Sequence, residues 1–168
     1  MNRYYLFTSL FAFFLISCEP VERSVGFTNW TDDGTEFKFH LGTENSINVV
    51  KKFDAILQKK DYQELYRYFA DTAVLTYQNG VQNNLKQFID LNLERDSILS
   101  ANGETLKWEP QNAFSVDLNP ETGGEHVNML YLATYETAES KSQFYADLWF
   151  YVVDGKIVTI RQFNQSIK

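Results

Sequence analysis

The sequence predicts an α+β domain, with about three helices in its first half packed on one face of a curved antiparallel sheet formed by its second half. Three observations carry this. Apolar residues recur at helical spacing between 47 and 69 and again after 84. They alternate at strand spacing from about 106 to 165, and Asn79-Gly80, Gly123-Gly124 and Asp154-Gly155 punctuate the chain where turns are needed.

Residues 1–17 read as a leader. Met1 to Arg3 is a short, weakly positive start, and the apolar run Tyr4 to Ile16 suits a secretory h-region while falling short of a bilayer-spanning helix. Residues 18–44 read as a tether carrying a short strand pair, because Phe27 to Trp30 and Phe37 to Leu41 flank the hairpin dipeptide Asp33-Gly34. The folded domain is expected over 45–168.

Its first helix spans Ile47 to Lys59, with Ile47, Val50, Asp54 and Leu57 on one stripe and Val49, Phe53 and Ile56 widening the apolar side. A second helix starts at Asp61. Asp61 and Glu64 have capping-box spacing, and Tyr62, Leu65, Tyr66 and Phe69 keep the helical period. Ala73 to Gln78 and Val81 to Asn83 form a hairpin around Asn79-Gly80. Asn84 then caps a third helix, with Leu85, Phe88, Ile89 and Leu93 inward and an end near Ser100, before Gly103. The remaining strands are Leu106 to Leu118, interrupted at Pro110, then Val127 to Glu136, Gln143 to Val153 and Ile157 to Gln165.

Composition narrows the function. The chain has 168 residues and a formal charge of −7, and the leader takes one positive charge, Arg3, with it. Such a surface repels nucleic acid. The one cysteine, Cys18, rules out an internal disulfide and a cysteine-based zinc site. His40 and His126 lack ligand spacing, and no phosphate loop, dinucleotide fingerprint or serine elbow occurs, so no metal or cofactor is expected. Aromatic residues make up 16% of the chain, enough for a large aromatic core, a lined pocket, or both.

Leu15-Ile16-Ser17-Cys18 resembles the lipobox of bacterial lipoproteins. That resemblance implies cleavage before Cys18, diacylglycerol on its sulfur and often an acyl chain on the new amine. Several chains anchor stably where one gives marginal binding, at about 0.8 kcal/mol per buried methylene. The expected partner is therefore a membrane and the expected location the bacterial cell envelope. Glu19 and Glu22 resemble an export signal for the outer membrane or cell surface in some bacterial groups.

The order of two amphipathic helices, a short hairpin, a third helix and a long meander resembles the nuclear transport factor two-like superfamily, with its SnoaL-like polyketide-cyclase branch. Lys60-Asp61, the stretch Phe69 to Leu75, Asn79-Gly80 and the stretch Trp149 to Ile157 carry the likeness, which covers about residues 45–168. It implies a cone, in which a curled sheet wraps the helices and leaves a cavity. These pieces are turns and core. The superfamily holds isomerases, cyclases, epoxide hydrolases, dehydratases and plain binding domains, so the fold leaves the activity open.

Tyr66, Tyr77, Trp108 and Trp149 are candidates to line such a cavity. Along the penultimate strand Tyr145, Asp147, Trp149 and Tyr151 share one face, and Phe144, Ala146, Leu148, Phe150 and Val152 share the other. If the first face meets the cavity, Asp147 is a candidate general base whose pKa burial would raise, a tyrosine hydroxyl is an oxyanion donor, and Tyr145 and Arg161 join the ligand contacts. If that face is the outer one, Asp147 pairs with Arg161 across the strands and the same residues mark a subunit interface. Asp71 reads as a turn residue, and His126 and His40 as surface positions. Three functions follow: a tethered binder of a small apolar or aromatic molecule, an acid-base enzyme using a pocket carboxylate, or a homodimeric or envelope scaffold.

Overall fold

The computed structural model describes residues 24–167; the leader, the lipobox and Cys18 lie outside the described residues. A hairpin comes first, β1 (Ser24–Trp30) and β2 (Glu36–Leu41), turning through Thr31 to Thr35. Helix α1 (Glu44–Lys59) and a 3₁₀ segment (Tyr62–Arg67) lead into β3 (Phe69–Thr76) and β4 (Gln82–Asn83). Helix α2 (Leu85–Asn102) follows, then the long strands β5 (Thr105–Asp117), β6 (Glu125–Glu136), β7 (Lys141–Val153) and β8 (Lys156–Ser166). The eight strands of the described residues make one sheet in the order β1-β2-β5-β6-β7-β8-β3-β4.

Local chemistry explains the element ends. Asn84 and Gln87 exchange side-chain to backbone hydrogen bonds in a capping box at the start of α2, and Gly103 closes that helix at φ 67°. The β5–β6 register shifts between Pro110 and Asn112, where proline cannot donate to the ladder.

The core forms where the helices meet one side of the sheet. Helix α1 buries Val50, Phe53 and Ile56, and α2 buries Leu85 and Ile89. They pack on Val127, Met129 and Tyr131 of β6, on Ala146, Leu148, Phe150 and Val152 of β7, and on Ile157 and Ile160 of β8.

Three expectations are corrected. The second helix is only the six-residue 3₁₀ segment, and Asp61 makes no side-chain cap. Tertiary pairing overrides the helical period here, because Phe69 is drawn into register with Ile157, whose N–H donates to the Tyr68 carbonyl at 2.7 Å. The sheet is mixed, not purely antiparallel, since β3 runs parallel to β8. Periodicity reports strands but not their direction. Finally, Leu93 is exposed and Asn92 is buried in its place, its amide donating to the Phe88 carbonyl at 2.7 Å.

The hairpin is stitched to the domain by Glu125. Its carboxylate accepts from the Thr43 N–H at 2.6 Å, the Thr43 hydroxyl at 3.2 Å and the Ser115 hydroxyl at 2.7 Å. Partial burial pushes the Glu125 pKa up, but these donors outweigh it and hold the group below its ordinary value. Gly42 is required beside it, because a Cβ there would lie 2.1 Å from Ser115 Oγ and 2.6 Å from Glu125 Oε2.

Candidate functional site

Where α1 and α2 diverge above the sheet they leave a cavity of about 380 Å³. Phe53, Leu57, Phe88, Trp108, Leu148 and Ile160 supply much of its apolar wall. Trp108 is held edge-on by Tyr131 at 5.7 Å and by Phe144 at 5.9 Å between ring centroids. Such T-shaped contacts fix an indole plane better than aliphatic packing does.

Two polar clusters interrupt this wall. Asp54 sits on the same helical stripe as Val50 and Leu57, which turns a carboxylate toward the apolar interior. Burial raises its pKa, while Gln58 and the Tyr131 hydroxyl pull it partly back. Gln58 is itself fixed, its amide donating to the Trp108 carbonyl at 2.7 Å. Tyr131 is almost wholly buried and donates to Met129 Sδ at 3.1 Å. Burial and the neighbouring Asp54 push its pKa far up, so it remains a proton donor across the biological range.

The second cluster closes one end of the cavity. Tyr62 donates to Asp96 at 2.6 Å, and the Lys60 ammonium and Arg95 Nη2 lie 3.3 and 3.2 Å from the same carboxylate. Burial alone would raise the Asp96 pKa; the three donors instead keep it below its usual value. Burial, and then the hydrogen bond to Asp96, push Tyr62 up to about 12. Arg95 Nε is shut off from solvent without a hydrogen-bond partner, a state that costs about 1–3 kcal/mol for a buried donor. Lys60 reaches the cluster by adopting a left-handed conformation, φ 60°, just past α1. Its N–H and that of Asp61 close the helix on Leu57 and Ile56, at about 1–2 kcal/mol of backbone strain for a residue with a Cβ.

Of the residues singled out from the sequence, Tyr77 and Trp108 line this cavity. Tyr66 does not, being half exposed on the 3₁₀ segment. Tyr145, Asp147, Trp149 and Arg161 lie on the opposite side of the sheet, which corrects the expectation that Asp147 is a cavity carboxylate. The physical reason is the strand period: Ala146, Leu148, Phe150 and Val152 take the helix side, so their neighbours must point away.

On that outer side Asp147 accepts a hydrogen bond from the Asn128 amide, and the residue opposite it on β8 is Phe163, not Arg161. Trp149 stacks edge-on against Phe114 at 5.7 Å, and Phe114 and Phe163 are 45% and 53% exposed. His126 stacks on Tyr151 at 4.7 Å, and burial lowers its pKa. His40 pairs opposite Asp117, and Asp71 is exposed on β3, where the register breaks between Phe69 and Val74.

Sequence reasoning passed over Asp54, Lys60, Tyr62, Arg95, Asp96 and Tyr131 as site residues. A signal for two of them existed. Asp54 interrupts the stripe Ile47, Val50, Leu57, and Asp96 continues the buried stripe Leu85, Ile89, Asn92; a carboxylate on an apolar helix face is costly unless a partner or a ligand site awaits it.

No protein-family model matches the sequence, and no curated protein matches it. Solved structures do match. An LEH-like epoxide hydrolase from M. tuberculosis is 16% identical, with a TM-score of 0.56 over 73% of this chain and 84% of that one. A nuclear transport factor two-like protein from Burkholderia xenovorans LB400 is 14% identical, with a TM-score of 0.55 over 74% and 92%. A candidate ketosteroid isomerase from Kribbella flavida is 13% identical, with a TM-score of 0.53 over 76% and 83%. At these identities the likeness is one of fold.

Proposed function

We propose that this chain, whose fold is that of the nuclear transport factor two-like superfamily, binds a small apolar or aromatic molecule between its helices and sheet while tethered through lipid on Cys18. The supporting observation is the cavity of about 380 Å³, walled by Phe53, Leu57, Phe88 and Trp108, with Asp54 and Asp96 among the polar groups that line it. Ligand sites are typically of this kind, mostly apolar with few polar anchors.

Trp108 reports on occupancy. Trp30 is exposed and Trp149 lies across the sheet, so a Trp30→Phe, Trp149→Phe background leaves only the cavity indole. Titrating 1-aminoanthracene into that protein should quench Trp108 emission saturably, and Leu57→Phe, which narrows the cavity without adding an indole, should weaken binding by about tenfold or more. An unsaturable response, or one that Leu57→Phe leaves unchanged in a folded protein, would refute the reading.

A second reading, an acid-base enzyme, is favoured by the placement of Asp54 and Tyr131. A carboxylate with a raised pKa beside a tyrosine hydroxyl, in an apolar cavity, has the parts needed to take a proton and to stabilise the resulting oxyanion. The hydrolase and isomerase names among the structural neighbours point to the same chemistry. For an epoxide or a cyclic enone that the protein turns over, Asp54→Asn should lower kcat by about 10²–10⁴ while leaving affinity within about tenfold. Undiminished turnover would remove Asp54 from the mechanism.

The outer sheet face supports a homodimer. Phe114, Trp149 and Phe163 form an exposed aromatic patch of the type that a second copy covers. Sedimentation should give the mass of two chains, and Phe163→Arg the mass of one. A monomeric parent protein would end this proposal.

A further inference from the structure

We propose that the ligand is an amphipathic amine, an aromatic or hydrocarbon body whose ammonium group pairs with Asp54 beside Tyr131 and Trp108. This inference rests on the binding reading above and names the class of ligand.

The distribution of charge is the first argument. The charged groups facing the cavity balance in number, Lys60 and Arg95 against Asp54 and Asp96, yet they are not paired evenly. Both cations sit on Asp96, Lys60 Nζ at 3.3 Å and Arg95 Nη2 at 3.2 Å. Lys60 is also 63% exposed, so water answers much of its charge. Asp54 forms no ion pair among the described residues. The side chains that act on its ionisation are Gln58 and Tyr131, both neutral, and burial outweighs them by disfavouring the charged form. A carboxylate so placed gains most from a ligand that brings a positive charge. The chain's overall −7 draws cations and repels anions before contact.

The surroundings of Asp54 are the second argument. Gln58 ties it to Trp108, for the amide donates to the Trp108 carbonyl at 2.7 Å and reaches Asp54 Oδ1 at 3.5 Å. The Trp108 and Tyr131 rings lie 5.7 Å apart, so two aromatic residues stand by one carboxylate. Aromatic rings attract an ammonium ion more strongly than a neutral head group. Asn92 adds an acceptor from α2. It is 5% exposed and lines the same cavity, and its amide donates to the Phe88 carbonyl. Its Oδ1 accepts from no group among the described residues and, unlike Arg95 Nε, is not sealed. A primary ammonium has three N–H donors and no acceptor, which matches a wall that offers oxygens, whereas a carboxylate has the reverse. Phe53, Leu57 and Phe88 then take the apolar body. No reaction is required of the amine.

1-Naphthylmethylamine, 1-naphthylmethanol and 1-naphthoate test this, since they share a ring system and differ in charge. By isothermal titration of the intact mature protein at about pH 7.5 and low salt, the protonated amine should bind at least about tenfold more tightly than the alcohol, and the naphthoate more weakly than either. Asp54→Asn keeps the shape of the side chain and should weaken the amine about tenfold or more while moving the alcohol less than about twofold. Asp54→Ala should erase the same preference, and Asp90→Asn, at an exposed carboxylate on α2, should leave it intact. Equal affinity of the parent protein for amine and alcohol, a preference that survives both Asp54 substitutions in folded proteins, or one that Asp90→Asn removes as fully, would overturn the amine inference and leave a neutral binder standing. Failure of all three ligands to bind would overturn the binding reading together with it.

Discussion

Phe53→Ala is expected to destabilise the domain by about 3–5 kcal/mol, the usual range for deleting a buried phenylalanine ring. Phe53 is 1% exposed and its ring meets three others, Phe150 edge-on at 5.2 Å, Phe69 at 6.0 Å and Phe88 at 6.2 Å. These partners come from β7, β3 and α2, so a single side chain on α1 joins both helices to the sheet. Truncation enlarges the cavity that Phe53 already lines. A whole domain is stable by only about 5–15 kcal/mol, so the loss removes a large part of the total. Denaturant unfolding of parent and variant gives the difference directly. A cost under about 1 kcal/mol, with an unchanged slope, would show that Phe53 is not the keystone of this core.

The other large effect concerns anchorage. Cys18→Ala should move the protein from the membrane to the soluble fraction almost completely, because the proposed anchor is covalent lipid on that one sulfur. Two or three acyl chains, at about 0.8 kcal/mol per buried methylene, hold a protein on a bilayer, and none remains in the variant. Among the described residues no helix is long and apolar enough to cross a membrane. Metabolic labelling with a fatty-acid analogue, followed by fractionation, makes the comparison. Equal labelling of the two proteins, or a variant that still sediments with membranes, would dispose of lipidation at Cys18.

The difference between the two candidate carboxylates shows how far patterns in the chain can reach. Asp147 attracted notice because it stands among aromatics on a strand, and Asp54 drew less because it stands on a helix. Strand alternation assigns Asp147 and Leu148 to opposite faces without saying which face the helices cover, and both faces of β7 carry large rings. The outcome turned on contacts from distant parts of the chain, Phe53 of α1 against Phe150 above all. Tyr62 and Asp96 stand 34 positions apart and meet only because α2 packs against the 3₁₀ segment.

What the sequence determined by itself is what depends on neighbours a few residues away. The Asn84 and Gln87 box, the closure of α2 at Gly103, the turns at Asn79-Gly80 and Asp154-Gly155 and the break at Pro110 are all local, and each follows from a side chain's reach or from a backbone angle. Tertiary structure decided the rest. It turned the segment after Lys60 into 3₁₀ by pairing Phe69 with Ile157, and it laid β3 parallel to β8. It also chose the inner face of β7, and so brought Asp54, Tyr131, Arg95 and Asp96 to the cavity while leaving Asp147 and Trp149 outside. Burial of apolar area is non-directional, so it rewards any arrangement that covers these rings. Only the packing of whole elements against one another selects which residues end up facing the enclosed space.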